Sequence, residues 1–245
     1  MTARRKTILL RVVIALAALA TIAANAPKLM LFGWQASSIF PASGIPDPAA
    51  ASTAAVVLSG DMGLRFGLSG DIAKALAAHG IPVTGISSPV AFAHHLDRAQ
   101  TVKVVRNAID EAFARSGARK VILVGQSFGA DIAATVLPDL PRSQLERIAG
   151  VVLVVPSNNV HFRADPTGIA YMGEPDARPA AALRLMAAPP VTCIRGADEA
   201  ESLCPLLGRN DPGIVTLPGN HYLRHDAPRV LRTILGAVDR MTGTV

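Results

Sequence analysis

"VILVGQSFGADIA", residues 121–133, decides the fold. Four β-favouring apolar residues, Val121 to Val124, lead into a serine at 127 set between Gly125 and Gly129. So short an apolar run, bounded by glycine, reads as a buried strand. From Phe128 on, "FGADIAATVL" reads as a helix that Pro138 stops. A strand turning this sharply into a helix strains the backbone at Ser127, and the two glycines leave out the Cβ atoms that close neighbours would exclude. The hydroxyl is then held at the carboxyl edge of a sheet, over a helix N-terminus that favours developing negative charge. Gly-x-Ser-x-Gly also suits an ordinary turn, so the rest of the chain has to decide between them.

On both sides of this stretch short apolar segments alternate with helical patterns. "AAVVLSG" (54–60), "IPVTGIS" (81–87), "RKVILVG" (119–125), "IAGVVLVVP" (148–156), "PPVTCIRG" (189–196) and "PGIVTLPG" (212–219) read as strands. Ser69 is placed to cap a helix with Ile72, Ala75 and Leu76 on one face and Gly80 as its stop. Asp97 starts a longer helix whose stripe is Val102, Val105, Ile109, Ala112 and Phe113, ending at Gly117. Asp226 and Pro228 open a C-terminal helix through Met241. Strands apolar on both faces, alternating with helices, predict an α/β fold: a mostly parallel sheet covered on both sides, with a nucleophile elbow at 125–129.

At 245 residues, half of them hydrophobic, the chain can bury one substantial core, which the pattern places at residues 54–245. The net charge of +6 is unevenly spread. Residues 1–26 hold Arg4, Arg5, Lys6 and Arg11 and no acid, so the other 20 bases against 18 acids leave only +2. No dense basic run comes after them, which argues against a nucleic-acid partner. The basic start precedes an apolar stretch of 15 residues, Val12 to Ala26. That is short for a spanning helix and suits a signal-peptide core. Cleavage sites of A-x-A type lie at 18–20 and 24–26, the second followed by Pro27, and an uncleaved membrane anchor stays open. Either way export to the periplasm is expected. Residues 27–53, rich in Ala, Ser and Pro, read as a tether. In an oxidising compartment the only two cysteines, Cys193 and Cys204, are expected to pair as a disulfide. No Cys/His spacing suggests zinc, and no metal or cofactor is expected.

A serine nucleophile needs a base, and the base an orienting acid. His221, in "LPGNHYL" after the last strand, is the candidate base among six histidines. The acid should lie between serine and histidine along the chain, and "CIRGADEAESLC" (193–204) supplies it. Strand-end spacing favours Glu199, with Asp198 beside it as the alternative. The Phe128 N–H offers one oxyanion donor, and "VVLSGDMGL" (56–64) offers a second from Asp61 or Met62. His94 and His95 could border the pocket but suit a solvated loop better. Asp131 lies one turn into the elbow helix, as a partner of the mouth loops or of a substrate cation. His161, Asp165, Glu174 and Asp176 fall in the irregular segment 156–178, where substrate-shaping insertions occur, and His225 reads as surface.

Taken together, "VVLSGDMG", "VILVGQSFGAD", "CIRGADEAESLCP" and "LPGNHY" resemble the VirJ/AcvB family of bacterial virulence proteins, exported and α/β-hydrolase-like, over roughly residues 54–240. The first is similar to the family's Ser-Gly-Asp-Gly-Gly. Met62 stands where that pattern has glycine, Leu64 where tryptophan is usual, and "SSPVAFAHH" replaces a more aromatic stretch. These departures surround the pocket mouth and bear on substrate more than on chemistry. The resemblance implies hydrolysis of an aminoacylated phosphatidylglycerol, such as lysyl-phosphatidylglycerol, at the outer face of the inner membrane. For some members it implies association with type IV secretion proteins. A non-catalytic periplasmic partner of such a system, or an esterase or thioesterase for a soluble substrate, are the other readings. For a lysyl substrate, Asp131, Glu174 or Asp176 are candidate partners of the cation.

Overall fold

The side chains of the central strand alternate between two cores, as the period-2 geometry of a strand requires. Along Lys120–Gln126, Val121 and Leu123 join one buried cluster while Ile122 and Val124 join the other. A strand apolar on both faces needs cover on both faces, and the chain provides it.

The computed structural model describes residues 3–24, 31–45, 47–186, 189–208 and 213–244. Helix α1 spans Ala3–Ala24, within the expected targeting segment. No helix among the described residues is long and apolar enough to cross a membrane. Of the expected cleavage sites, that at 24–26 lies partly outside the described residues, as do Pro27 and Pro212.

The sheet comprises β1 (Ser37–Phe40), β2 (Thr53–Leu58), β3 (Val83–Ile86), β4 (Lys120–Gln126), β5 (Ile148–Val154), β6 (Val191–Gly196) and β7 (Ile214–Leu217). The order is β1-β3-β2-β4-β5-β6-β7, with every pair parallel except β1 against β3. Strand β1 was not expected: it lies inside the stretch read as a tether, and its four residues pair with Val83–Ile86 as an antiparallel edge.

Helices α2 (Leu68–Ala78), the single turn α3 (Ser88–Ala91), α4 (Arg98–Ser116), α5 (Phe128–Val136) and the short α6 (Arg142–Leu145) come next in chain order. Two more short turns, α7 (Ala180–Arg184) and α8 (Cys204–Leu207), precede the C-terminal α9 (Ala227–Thr242). Val105, Ala108, Ile109 and Ala112 of α4 pack with α5 on one face of the sheet. Ile72 and Leu76 of α2 pack with Val230, Ile234 and Val238 of α9 on the other. Asp97 caps α4 by accepting the Gln100 N–H at 2.8 Å, with the Gln100 side chain answering in a capping box. Across α2 and α9, His79 Nε2 lies 2.8 Å from Asp239 Oδ1.

Cys193 on β6 and Cys204 at the start of α8 form the expected disulfide and close the loop 194–203. The Leu203 N–H also donates to the Pro156 carbonyl at 2.8 Å, tying that loop to the end of β5. Cross-linking across 11 positions removes loop freedom from the unfolded chain equivalent to about 2–3 kcal/mol. The double variant Cys193→Ala/Cys204→Ala should therefore lose about 2–3 kcal/mol in a denaturant titration, with the slope of the transition rising because the unfolded chain is more open.

Candidate active site

Ser127 sits between β4 and α5 at φ 52° and ψ −122°, a region that costs a residue with a Cβ on the order of 1–3 kcal/mol. The surroundings enforce it. Its N–H donates to the Val154 carbonyl at 2.8 Å, and its own carbonyl accepts from the N–H groups of Ala130 at 2.8 Å and Asp131 at 3.0 Å. A Cβ on Gly129 would lie 2.1 Å from the Leu58 carbonyl oxygen, and one on Gly125 2.5 Å from the Ala130 Cα. Strand, turn and helix are thus packed backbone against backbone, and only glycine fits at those two places.

Two neighbouring strand ends bring the partners. Ser127 Oγ lies 2.9 Å from His221 Nε2, and His221 Nδ1 lies 2.7 Å from Glu199 Oε1. An ionised carboxylate only accepts, so Nδ1 carries the hydrogen donated to Glu199, and the free Nε2 lone pair accepts from the serine hydroxyl. The Glu199 side chain is 8 % exposed against 42 % for His221, so the acid lies beneath the ring. The Gly196 N–H reaches its second oxygen at 3.3 Å. Asp198, the alternative acid, is exposed and makes no side-chain bond to the histidine; it contributes an N–H to the Gly219 carbonyl at 2.9 Å. The histidine loop is itself strained: Leu223, Arg224 and His225 take φ values of 49°, 54° and 56° in succession.

The mouth loop after β2 is fixed by a buried polar network. Here Ser69 departs from expectation, since α2 is preceded by Gly67 and has no side-chain cap. Its hydroxyl instead accepts the Gly60 N–H at 3.1 Å and donates to Gln126 Oε1 at 2.8 Å, joining the loop to the residue before the serine. Ser59 Oγ accepts the Ser88 N–H at 2.8 Å from the other side. The Gly63 N–H closes a turn on the Gly60 carbonyl at 3.0 Å, with Asp61 and Met62 at its corner. The Asp61 carboxylate takes the Tyr171 hydroxyl and, at 3.0 Å, the Asp165 N–H. Phe128 opens α5, so its N–H belongs to the first turn, which has no carbonyl of its own helix to bond.

Two cavities meet at Ser127 and His221. One, of about 620 Å³, has an apolar wall of Met62, Phe66, Leu68, Val155, Tyr222 and Val230, with Asp61, Asp71 and Asp226 also on its lining. The other, of about 560 Å³, carries Asp61, Asp131, Asp198, Glu199 and Glu201, with Tyr171 and His161. Burial pushes the Asp131 carboxyl well above the usual 3.8; the Ser157 N–H it accepts works against this, while the charges of Asp61 and Glu199 add to it. Burial likewise raises Asp61, against the pull of Tyr171 and the Asp165 N–H, and raises the Tyr171 phenol beside it. Asp131 Oδ1 accepts the Ser157 N–H at 2.6 Å.

The other candidates fall elsewhere. His95 pairs with Asp176 at 2.8 Å, and Asp176 also accepts the Phe162 N–H at 2.8 Å, so both brace the 156–178 segment and neither lines a cavity wall at the serine. His94 lines neither cavity. Glu174 extends into solvent near Arg178 at 3.8 Å, away from either cavity. Asp165 folds its own loop by accepting from Thr167 and Ala170. His225 stacks on Tyr222 at the apolar cavity's edge, with ring centroids 5.5 Å apart. Sequence reasoning missed Tyr171, Gln126 and the part Ser69 plays. Of these, only Gln126, inside the Gly-x-Ser-x-Gly stretch, carried a local signal. Among the described residues no group of three or more His, Cys, Asp or Glu is placed to hold a metal ion.

Residues 52–242 match the model of the family described as bacterial virulence protein (VirJ). No curated protein matches the sequence significantly. Among solved structures, an esterase of Pyrobaculum calidifontis superposes with a TM-score of 0.58 at 17 % identity, covering 84 % of this chain and 81 % of its own. Brefeldin A esterase, a bacterial homologue of human hormone-sensitive lipase, gives 0.58 at 18 %, covering 85 % and 73 %. An α/β serine hydrolase homologue from Coxiella burnetii gives 0.57 at 15 %, covering 82 % and 90 %. At such identities the likeness shows the fold, which is that of the α/β hydrolases.

A carboxyl whose pKa is raised by folding contributes its full stability below the unfolded value and loses it as pH rises through the folded one. Asp131 therefore weakens the fold at neutral pH. Asp131→Asn, which keeps an oxygen for the Ser157 N–H, should melt a few degrees higher than wild type at pH 7, and the gain should vanish by about pH 4, as measured by calorimetry across that range.

Proposed function

The chain belongs to the VirJ family of bacterial virulence proteins, and from that premise we propose that it is an exported serine hydrolase of an aminoacylated phosphatidylglycerol, lysyl-phosphatidylglycerol above all. One observation carries the reading: a strained serine hydroxyl, bonded in sequence to an imidazole and a buried carboxylate, opens at the junction of an apolar and an acidic cavity. An ester with a lipid arm on one side and an ammonium-bearing acyl group on the other fits both at once. The acidic wall of Asp61, Asp131 and Glu199, with the exposed Glu201 at its edge, suits a lysyl cation, because a buried carboxylate gains most from an opposite charge in a site where water is scarce.

In the first half-reaction Ser127 Oγ attacks the aminoacyl carbonyl carbon as its proton passes to His221 Nε2. The imidazolium that forms is held by Glu199 through Nδ1. The carbonyl oxygen, now negative, takes the Phe128 N–H and the Met62 N–H. The Asp61 N–H is the weaker choice of the two mouth-loop donors, because it faces its own carboxylate. Each such donor contributes roughly 3–4 kcal/mol of transition-state stabilisation. The tetrahedral carbon then expels the glycerol oxygen, which leaves with the proton from His221. In the second half-reaction water, deprotonated by the same nitrogen, attacks the aminoacyl-serine and frees the amino acid. The basic start and apolar run of the N-terminal segment support export, with α1 as a removable signal or a retained anchor.

Purified wild type should release lysine from lysyl-phosphatidylglycerol vesicles and cleave a short-chain nitrophenyl ester. Ser127→Ala should lower both rates by at least about 10³-fold. Glu199→Gln should cost on the order of 10²–10⁴-fold, whereas Asp198→Asn should stay within about threefold on the neutral ester. Indistinguishable rates for wild type and Ser127→Ala on both substrates would instead favour a non-catalytic partner of a secretion complex. Cleavage of the small ester alone would point to a soluble substrate.

A further inference from the structure

The apolar cavity does not close over the serine; its rim carries large apolar side chains standing in solvent. Met62, Phe66 and Tyr222 line that cavity and are 48 %, 49 % and 66 % exposed. The Phe66 ring meets the buried Phe32 edge-on at 6.1 Å, and Phe32 shares a groove beside it with Arg65 and Trp34, the last 74 % exposed. Large apolar side chains exposed in one neighbourhood, bordering a catalytic mouth, mark a contact surface.

The charge at the rim identifies the partner. Arg65, beside Phe66, lines a shallow groove with Phe32 and Trp34, and Arg224 sits in the turn between Leu223 and His225, which both line the cavity. Both are exposed and neither forms an ion pair among the described residues. The acids on the cavity lining are engaged: Asp61 with the Tyr171 hydroxyl, Asp71 with Lys74 at 3.7 Å and Asp226 with Arg229 at 3.1 Å. Aromatic and aliphatic tips flanked by unpaired arginines match the boundary of an anionic bilayer, where rings sit among headgroups and each nearby cation gains on the order of 1 kcal/mol.

Helix α1 points the same way. Its described side chains, Leu9, Leu10, Val13, Ile14 and Leu19 among them, are about half exposed or more, and Arg5, Lys6 and Arg11 are exposed with them. From Ala24, where it ends, to Leu31 the chain has seven Cα–Cα steps, a reach of at most roughly 25 Å. An α1 held at a lipid surface therefore keeps the rim close to it.

We infer that this rim is a membrane-docking face, with Trp34, Phe66 and Met62 entering an anionic lipid surface so that the apolar cavity opens directly onto the bilayer. Its purpose rests on the lipid-ester reading above, but its test does not. Trp34 is the only tryptophan, so intrinsic emission reports this face alone. The full chain carrying Ser127→Ala should be mixed with phosphatidylcholine vesicles with and without phosphatidylglycerol, using lipids with brominated acyl chains as quenchers.

On phosphatidylglycerol vesicles Trp34 emission should shift to the blue, be quenched by the brominated chains and lose access to iodide. Phe66→Ser should weaken partitioning by about tenfold, the effect of keeping one ring in water. Arg65→Glu, an exposed change that leaves the fold alone, should weaken it several-fold and flatten its dependence on phosphatidylglycerol. Bound protein whose Trp34 stays open to iodide and unquenched by bromine would overturn the inference, since α1 alone would then be the anchor. A concentration-dependent blue shift without lipid would also overturn it, by showing that a second copy covers the rim. Turnover of the short-chain ester by the wild type is read separately, so failure of the hydrolase reading and failure of the docking face are told apart.

Discussion

Everything at this site depends on one residue held where a side chain resists being held. Ser127 stays at positive φ because β4, β5 and α5 converge on it, with two hydrogen bonds to its carbonyl and one from its N–H. Gly125 and Gly129 are the other half of that constraint. The backbone of the neighbouring strand end at Leu58 passes where a Cβ on residue 129 would be. The strain of on the order of 1–3 kcal/mol is borne by a core buried on both faces of the sheet. In return the hydroxyl projects from the sheet edge with a helix N-terminus beneath it, already pointed at the imidazole.

A second cost sits beside the first. Asp61 and Asp131 are pushed toward their neutral forms by burial, yet both line the wall facing the nucleophile. A structure optimised for stability alone would not bury Asp131 within reach of the charges of both Asp61 and Glu199. The proposed lysyl substrate would bring an ammonium group to this wall, which restores what desolvation removes from each carboxylate. The cavity on the other side has more large apolar side chains and fewer carboxylates, and the serine lies on both linings. Ser69, Gln126 and Ser59 then act as the frame that keeps the mouth loop in register with the elbow.

The legible parts of the sequence were those where local pattern and tertiary role coincide. The central strands β2, β4 and β5 are apolar on both faces because both faces are covered, and the elbow glycines stand out because their need is steric. The order of serine, acid and histidine along the chain came from strand ends reaching one edge. The parts that stayed hidden depended on partners distant in sequence. Strand β1 has only the residues SSIF amid alanine, serine and proline, and it is ordered by pairing with β3. Ser69 has the residue type and position of a helix cap, and only the arrival of Gly60 and Gln126 assigns it otherwise. Glu199 and Asp198 are neighbours of like charge, and which of them faces the ring is set by the turn that the disulfide closes. Tyr171 reaches Asp61 from 110 positions away, with no periodicity to announce it.

The central claim is that Ser127 is an activated nucleophile, and the most direct measurement is covalent capture by a fluorophosphonate, then peptide mass spectrometry. One adduct per folded chain is expected, on Ser127, forming orders of magnitude more slowly in His221→Ala and not at all after denaturation. Labelling that is absent, scattered over several hydroxyls, or equally fast without the imidazole would contradict it.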